Sequence, residues 1–101
     1  MKRNNVYEIE YRYNDEEEFH YALMVVYSTG TKLGDAIQKA LDDGNESGSF
    51  VELDKLMYDK YKLDDNDICF YFDRTDMVWD LKTSIERSYD IEIKDMWVER
   101  S

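Results

Sequence analysis

Two stretches near the start of the chain have the hydrophobic patterns of β-strands. In residues 6–13 the side chains alternate, with Tyr7, Ile9, Tyr11 and Tyr13 on one face and Glu8, Glu10 and Arg12 on the other. This alternation predicts a strand with one buried face and one wet face. Residues 19–27 (FHYALMVVY) are apolar on both faces, which predicts a central strand. The short polar connection between the two stretches predicts an antiparallel hairpin.

The hydrophobic period then changes to that of α-helices. In residues 31–43 the apolar positions recur at helical spacing, at Leu33, Ala36, Ile37, Ala40 and Leu41. A second stripe begins at Phe50 and continues through Leu53, Leu56, Met57 and Tyr61. Both patterns predict amphipathic helices that bury one face.

The remaining pattern predicts a strand, a third helix and a final strand. ICFYF, residues 68–72, is typical of a buried strand. Thr75 or Asp76 can cap the third helix, whose inward positions would be Val78, Leu81, Ile85 and Tyr89. Residues 91–98 predict the closing strand, with Ile91, Ile93 and Trp97 on one side.

This order of elements predicts an α+β fold within a single compact domain, residues 1–101. We expect a four-stranded mixed sheet that combines an N-terminal antiparallel hairpin with a C-terminal βαβ unit. A right-handed crossover would make the two strands of that unit parallel. We expect the three helices to pack on one face of the sheet, opposite the wet face of the first strand.

Charge narrows the classes of function. The chain has 24 acidic and 13 basic residues, for a formal net charge of −11. Such a surface repels nucleic acid and anionic membranes and speeds encounter with basic proteins, so we expect neither direct nucleic-acid nor membrane binding. Its simplest interpretation is solubility alone. The alternative is that the acids themselves contact a basic groove.

The chemistry-bearing residues are few, and no cofactor or catalytic activity is expected. Cys69 is the one cysteine, which we interpret as a core thiol in a reducing, cytoplasmic compartment. His20 is the one histidine and is interpreted as a partly exposed structural residue, since zinc would need further His or Cys ligands. The first residues, MKRNNVYEIEYRY, lack the apolar stretch typical of a signal peptide, and no run approaches the length of a membrane span. We therefore expect neither secretion nor a membrane-spanning segment.

Residues 42–54 (DDGNESGSFVELD) partly match an EF-hand calcium loop. Asp43, Asn45 and Ser47 occupy ligand positions, and Asp54 stands where a bidentate Glu is usual. Polar flanking residues and the absence of a second loop in the sequence argue against calcium. We favour a joint between two helices, in which Gly44 stops the first helix and Ser49 with Glu52 forms a capping box for the second.

Two segments of the chain echo each other. LMVVYSTGTKLGDAIQKAL and ICFYFDRTDMVWDLKTSI each combine a strand, a polar turn and a helix that opens near an Asp. Both resemble the strand-to-helix passage of ubiquitin-like β-grasp proteins. The resemblance implies a regulatory or adaptor domain that binds partners through a sheet edge or through the face bearing Glu8, Glu10 and Arg12.

The acidic residues are clustered. The predicted partner-binding set consists of Asp15, Glu16, Glu17, Glu18, Asp64, Asp65, Asp67, Asp73, Asp76, Trp79 and Asp80. Carboxylates closely spaced at both ends of one short strand can imitate a phosphate backbone, and an exposed Trp can anchor an interface.

The leading hypothesis from this pattern is inhibition of a basic protein, such as a nucleic-acid-guided nuclease, by occupation of its nucleic-acid channel. In size, acidity and lack of enzyme motifs the chain resembles small acidic proteins of bacteriophages and mobile elements that inhibit restriction and CRISPR nucleases. If it is phage-encoded, it would act in the host cytoplasm. The sequence leaves monomer and homodimer equally open.

Overall fold

The computed structural model describes residues 3–44, 48–64 and 66–100, with only the backbone described for the last two residues. In chain order the elements are β1 (Asn5–Tyr13), β2 (His20–Tyr27), α1 (Lys32–Asp43), α2 (Ser49–Tyr61), β3 (Cys69–Asp73), a 3-10 turn (Arg74–Asp76), α3 (Leu81–Tyr89) and β4 (Ile91–Arg100). The predicted sequence of strands and helices is confirmed. Among these helices none is long and apolar enough to cross a membrane.

The four strands form one mixed sheet in the order β3-β2-β1-β4. β1 pairs antiparallel with both β2 and β4, whereas β2 and β3 are parallel. The predicted α+β fold with a mixed four-stranded sheet and an N-terminal hairpin is therefore confirmed. β3 and β4 run in the same direction, as predicted for the final βαβ unit, but they occupy opposite edges of the sheet.

One face of the sheet packs against α1 and α2. The buried residues of this first core are Val6, Val25, Tyr27, Leu33, Ile37, Ala40, Leu53, Met57, Tyr61 and Leu63. β2 contributes Val25 and Tyr27 to it, while its intervening residues point to the other face. On this face, α1 and α2 thus cover Val25 and Tyr27 but not the β2 residues between them.

The opposite face packs against α3. Its buried residues are Ile9, Tyr11, Ala22, Met24, Val26, Phe72, Ile85, Ile91 and Ile93. The prediction that all three helices pack on one face is wrong, because α3 lies on the face opposite α1 and α2. Because β2 is apolar on both faces, each face needs its own helical cover to keep these side chains from water.

The wet face of β1 is also placed differently from the prediction. Glu8 and Glu10 share a pleat direction with Val6, which belongs to the core under α1 and α2. Glu8 and Glu10 therefore lie on the sheet face that packs against α1 and α2, in a region that these helices leave uncovered. The prediction that this wet face lies opposite all the helices is wrong. Tyr21 and Trp97 are exposed on either side of β1 there, by 59% and 46%.

A β-bulge in β4 explains the position of Trp97. Tyr11 pairs with Ile93, whereas the preceding residue Glu10 pairs with Asp95, so Lys94 is an extra residue. The alternation is shifted by one position, because a bulge sets two residues opposite one. Met96 then faces the core beside Ile9, and the predicted inward orientation of Trp97 is wrong.

Candidate protein-binding surface

Five described aspartates flank the edge strand β3. They are Asp64, Asp67, Asp73, Asp76 and Asp80, and we call them the acidic edge. Asp65 belongs to the predicted set but lies outside the described residues. Because a strand advances about 3.3 Å per residue, Asp67 and Asp73 are separated by up to roughly 20 Å along β3. The prediction that both ends of this strand carry Asp residues is confirmed.

A tight turn orders the two acids that precede β3. The backbone N–H of Asp64 donates to Oδ2 of Asp67 at 2.8 Å, and the N–H of Asn66 donates to Oδ1 of Asp64, also at 2.8 Å. Asp side chains commonly make such bonds to nearby backbone groups. Both residues remain exposed, so the turn holds their carboxylates toward solvent.

Asp73 at the end of β3 and Asp80 beyond it also form hydrogen bonds with the local backbone. Oδ1 of Asp73 accepts from the Thr75 N–H at 3.0 Å, and Oδ1 of Asp80 accepts from the Thr83 N–H at 2.8 Å as the N-cap of α3. The Thr83 backbone bond, followed by the Thr83 hydroxyl, lowers the pKa of Asp80 below its usual 3.8. Asp80 is therefore an exposed, ionised cap.

The described ion pairs lie on a different part of the sheet. Arg12 contacts Glu92 at 2.6 Å, Lys94 contacts Glu10 at 4.0 Å, and His20 is 3.4 Å from Glu16. All three involve β1, β4 or the β1–β2 turn. Within residues 3–44, 48–64 and 66–98, no ion pair includes a member of the acidic edge. Lys82 helps to lower the pKa of Asp80 without forming an ion pair with it. The negative charge beside β3 is therefore free of described ion pairs.

This charge affects buried groups near both ends of β3. Burial, followed by the carboxylates of Asp73 and Asp76, raises the pKa of Tyr27 to about 12. Burial, followed by Asp67 and Asp54, raises the pKa of the Cys69 thiol to about 11. Both shifts have the sign expected when negative charge opposes the formation of another anion.

The first acidic cluster lies apart from the end of β3. Asp15, Glu16, Glu17 and Glu18 are exposed in the β1–β2 turn, next to the start of β2. Asp73 pairs instead with Tyr27, the last residue of β2. A strand of eight residues separates the two positions. Because β2 and β3 are parallel, the turn lies at the same end of the sheet as Asp67, which precedes β3, and at the opposite end from Asp73.

Three exposed apolar residues connect Asp76 to Asp80. Met77, Val78 and Trp79 are exposed by 41%, 73% and 54%. The sequence pattern predicts an exposed Trp79 but places Val78 on the inward stripe of a helix capped by Thr75 or Asp76. That cap is wrong, because α3 begins only after Asp80. The spacing of Asp80 and Thr83, typical of an N-cap and its N3 position, is the signal that locates the true start.

The candidate catalytic residues have structural surroundings. His20 is half-buried, with its ring 5.8 Å from that of Tyr11. Cys69 is half-buried at the margin of the first core, and its raised pKa keeps it protonated at neutral pH. Since the thiolate is the reactive form, this environment makes Cys69 a poor nucleophile.

The joint between α1 and α2 places only some of the predicted calcium ligands. α1 ends at Asp43, and Gly44 caps it with φ of 61°, as predicted. Ser49 is the first residue of α2, not its cap; Gly48 is the cap, without a side-chain hydrogen bond. The predicted capping box is therefore wrong. The Ser49 hydroxyl donates instead to Oδ2 of Asp43 at 2.9 Å.

The remaining calcium positions do not form a described loop site. Asn45 and Ser47 lie outside the described residues, and Asp54 lies within α2 beside Cys69 and Tyr71. EF-hand positions 7 and 9 fall on Ser49 and Val51, which are already helical.

Within the described residues, no group of three His, Cys, Asp or Glu side chains is arranged to hold a metal ion. The chain as a whole matches no protein-family model, no curated protein and no solved structure.

Proposed function

We propose that this chain is a non-enzymatic inhibitor that occupies the nucleic-acid-binding channel of a basic protein. The observation that carries the proposal is the gathering of five described aspartates at and beyond the two ends of one edge strand, β3. None of them forms an ion pair with a described residue. Unpaired surface charge of one sign attracts a surface of the opposite sign.

The charge of the acidic edge is gathered at the two ends of β3. Asp67 and Asp73 stand up to roughly 20 Å apart, with no acid between them in the sequence, and Asp64, Asp76 and Asp80 lie beyond them. One strand of nucleic acid carries about six phosphates over that length. The acidic edge therefore imitates two groups of phosphates and not a continuous row.

The proposed setting is the cytoplasm of a host cell, where the chain would act as a phage-type inhibitor of a restriction or CRISPR nuclease. A reducing cytoplasm would keep Cys69 as a thiol. A nuclease of this class combines a basic channel with an activity that is simple to measure, so it is the first partner to test.

The test compares two triple variants that remove the same charge. Asp64→Asn, Asp67→Asn and Asp73→Asn neutralise the acidic edge while keeping side-chain oxygens that can accept the turn hydrogen bonds. Glu52→Gln, Asp59→Asn and Asp95→Asn neutralise three exposed acids elsewhere. Inhibition of DNA cleavage by a guide-RNA-loaded CRISPR nuclease and by a restriction endonuclease is measured for both variants.

We expect the edge variant to inhibit roughly tenfold less well than wild type, because it lacks charges that face the channel. The control variant should inhibit as wild type does, and inhibition should weaken with added salt. Equal losses in the two variants, or affinity that does not change with salt, would contradict the proposal.

A second candidate function is an adaptor domain that binds through the open part of the sheet. The observation that favours it is the exposure of Tyr21 and Trp97 on either side of Glu8 and Glu10, where α1 and α2 do not cover the sheet. Aromatic side chains are enriched at interface hot spots. This function predicts that Glu8→Gln and Trp97→Ala weaken partner binding more than the acidic-edge variant does.

A further inference from the structure

The segment between the 3-10 turn and α3 exposes three consecutive apolar side chains. Met77, Val78 and Trp79 are exposed by 41%, 73% and 54%, and they belong to neither of the two buried cores. Single exposed apolar residues are ordinary on protein surfaces, but a contiguous group often marks an interaction site. We call these three residues the apolar plug.

The backbone of the apolar plug is held by one buried hydroxyl. Oγ of Ser84, whose residue is only 3% exposed, accepts hydrogen bonds from the N–H groups of Val78 and Trp79, both at 3.2 Å. The same hydroxyl donates to the carbonyl oxygen of Asp80 at 2.8 Å. The exposed side chains thus project from a backbone that is fixed to the first turn of α3.

Two further contacts define the position of the plug. The Met77 N–H donates to the Arg74 carbonyl oxygen at 3.2 Å and closes the 3-10 turn. The guanidinium carbon of Arg87 lies 4.4 Å from the centre of the Trp79 ring, a cation–π distance. Arg87 therefore restrains this ring, which stays 54% exposed.

Such an arrangement is suited to binding a protein pocket. A large side chain that is already ordered loses little conformational entropy when it is buried by a partner, and Trp is the type most enriched at hot spots. Burial of this apolar surface would supply a hydrophobic gain that the acidic edge alone does not provide.

Two aspartates flank the plug in the chain. Asp76 and Asp80 are both exposed, and neither forms an ion pair with a described residue. Two basic residues act nearby: Arg87 lies over the Trp79 ring, and Lys82 helps to lower the pKa of Asp80. We infer that the apolar plug inserts into an apolar pocket rimmed by lysine or arginine on a partner protein. This inference rests on the proposed function in one respect, namely that one basic partner contacts both the plug and the acidic edge.

The pocket chemistry can be tested with a defined host molecule. The probe is β-cyclodextrin with an amino group on every glucose unit, because it offers an apolar cavity rimmed by ammonium groups. Neutral β-cyclodextrin has the cavity without the charges. Titration calorimetry at low and high salt gives the affinity of the full chain for each probe.

Matched pairs of substitutions identify which surface binds. Val78→Ser with Trp79→Ala removes two of the three plug side chains, and Val51→Ser with Tyr58→Ala removes a Val and an aromatic side chain of comparable exposure, 75% and 55%, elsewhere. We expect the first pair to weaken binding of the amino probe about tenfold, as for loss of a hot spot, and the second to leave it unchanged. Equal effects of the two pairs, or no binding by wild type, would overturn the inference.

Two other variants test the rim and the ordered backbone. Asp76→Asn with Asp80→Asn should weaken binding of the amino probe but not of the neutral probe; equal behaviour would refute the basic rim. Ser84→Ala leaves every plug side chain in place and should also weaken binding, provided that circular dichroism shows a folded chain. Unchanged affinity in folded Ser84→Ala would show that the fixed backbone has no role.

The outcomes separate this inference from the proposed function and from lipid binding. The triple variant at Asp64, Asp67 and Asp73 retains the plug, so it should bind the amino probe even if it no longer inhibits a nuclease. Conversely, if wild type does not bind the amino probe, the plug inference fails, but the triple variant can still inhibit cleavage less well than wild type, as the proposed function predicts. Binding of wild type to phosphatidylcholine vesicles that is abolished by Val78→Ser with Trp79→Ala would instead assign the plug to a membrane surface.

Discussion

The hydroxyl of Ser49 donates a 2.9 Å hydrogen bond to the carboxylate of Asp43, which joins the start of α2 to the end of α1. This contact engages the residue that would be the first ligand of a calcium loop. It also gives the Ser hydroxyl a role different from helix capping, since α2 is capped by Gly48. The joint is thus organised through its own side chains.

We predict that this joint is independent of calcium. Thermal unfolding with micromolar calcium and with a chelator should give the same melting temperature. A double-mutant cycle with Asp43→Ala and Ser49→Ala should yield a coupling free energy of about 1 kcal/mol, typical of one hydrogen bond. A large rise in melting temperature on addition of calcium would show that the loop is a metal site.

Gly34 provides a second prediction because a side chain there has no space. A Cβ at this position would lie 1.8 Å from the carbonyl oxygen of Ser28 and 2.8 Å from the Thr31 hydroxyl. Gly34→Ala ordinarily favours a helix, but here we expect a loss of about 1–3 kcal/mol or more in unfolding free energy, from overpacking. Urea unfolding measures it, with the exposed α1 substitution Lys39→Ala as the control. A more stable Gly34→Ala variant would mean that the Ser28 backbone moves freely.

Asp80 predicts a pH-dependent contribution to stability. Its pKa in the folded chain is lowered, chiefly by the Thr83 backbone N–H, so the charged cap stabilises the fold at pH values above the unfolded pKa. That contribution is lost as the pH falls through the folded pKa. Asp80→Asn retains a capping oxygen without the charge, so the stability difference from wild type should shrink toward strongly acidic pH.

Urea unfolding across the acidic range measures this difference. Asp76→Asn serves as the control, since the Asp76 carboxylate caps no helix and accepts no described hydrogen bond. A difference between wild type and Asp80→Asn that stays constant with pH would show that the cap acts without its charge.

Alkylation of the Cys69 thiol is expected to be slow at neutral pH, because its pKa is raised. With a pKa of about 11, about one thiol in ten thousand is ionised at neutral pH. Iodoacetamide should therefore modify folded Cys69 slowly, with a rate that rises with pH. Asp67→Asn should shift this profile to lower pH, because a nearby negative charge is removed, whereas Asp59→Asn should not. Rapid alkylation at neutral pH would mean that the thiol is neither buried nor opposed by acids.

Much of the fold follows from local pattern. The alternation in residues 6–13 predicts correctly that Ile9 and Tyr11 are buried, and the apolar run that follows predicts the central position of β2. These predictions succeed because side chains alternate between the two faces along a strand without a bulge. The Asp clusters before and after β3 are likewise visible in the sequence, because these residues are close to β3 in the chain.

The site itself was predicted less completely. Trp79 was identified, but Val78 fits the helical spacing of Leu81 and Ile85, so the pattern placed it in the core. The cap at Asp80 and the bonds from Ser84 exclude it from α3. Periodicity alone therefore does not show where α3 begins, whereas the N-cap at Asp80 does.

The sequence by itself determined the strands, the helices, the excess of negative charge and the acids at both ends of β3, because each depends on residues that are close in the chain. Only the tertiary structure decided that α3 covers the opposite face from α1 and α2, that the bulge at Lys94 turns Trp97 outward, and that no described ion pair includes the aspartates beside β3. These features depend on strand order and on contacts between distant residues, which are set by burial of apolar surface over the whole chain.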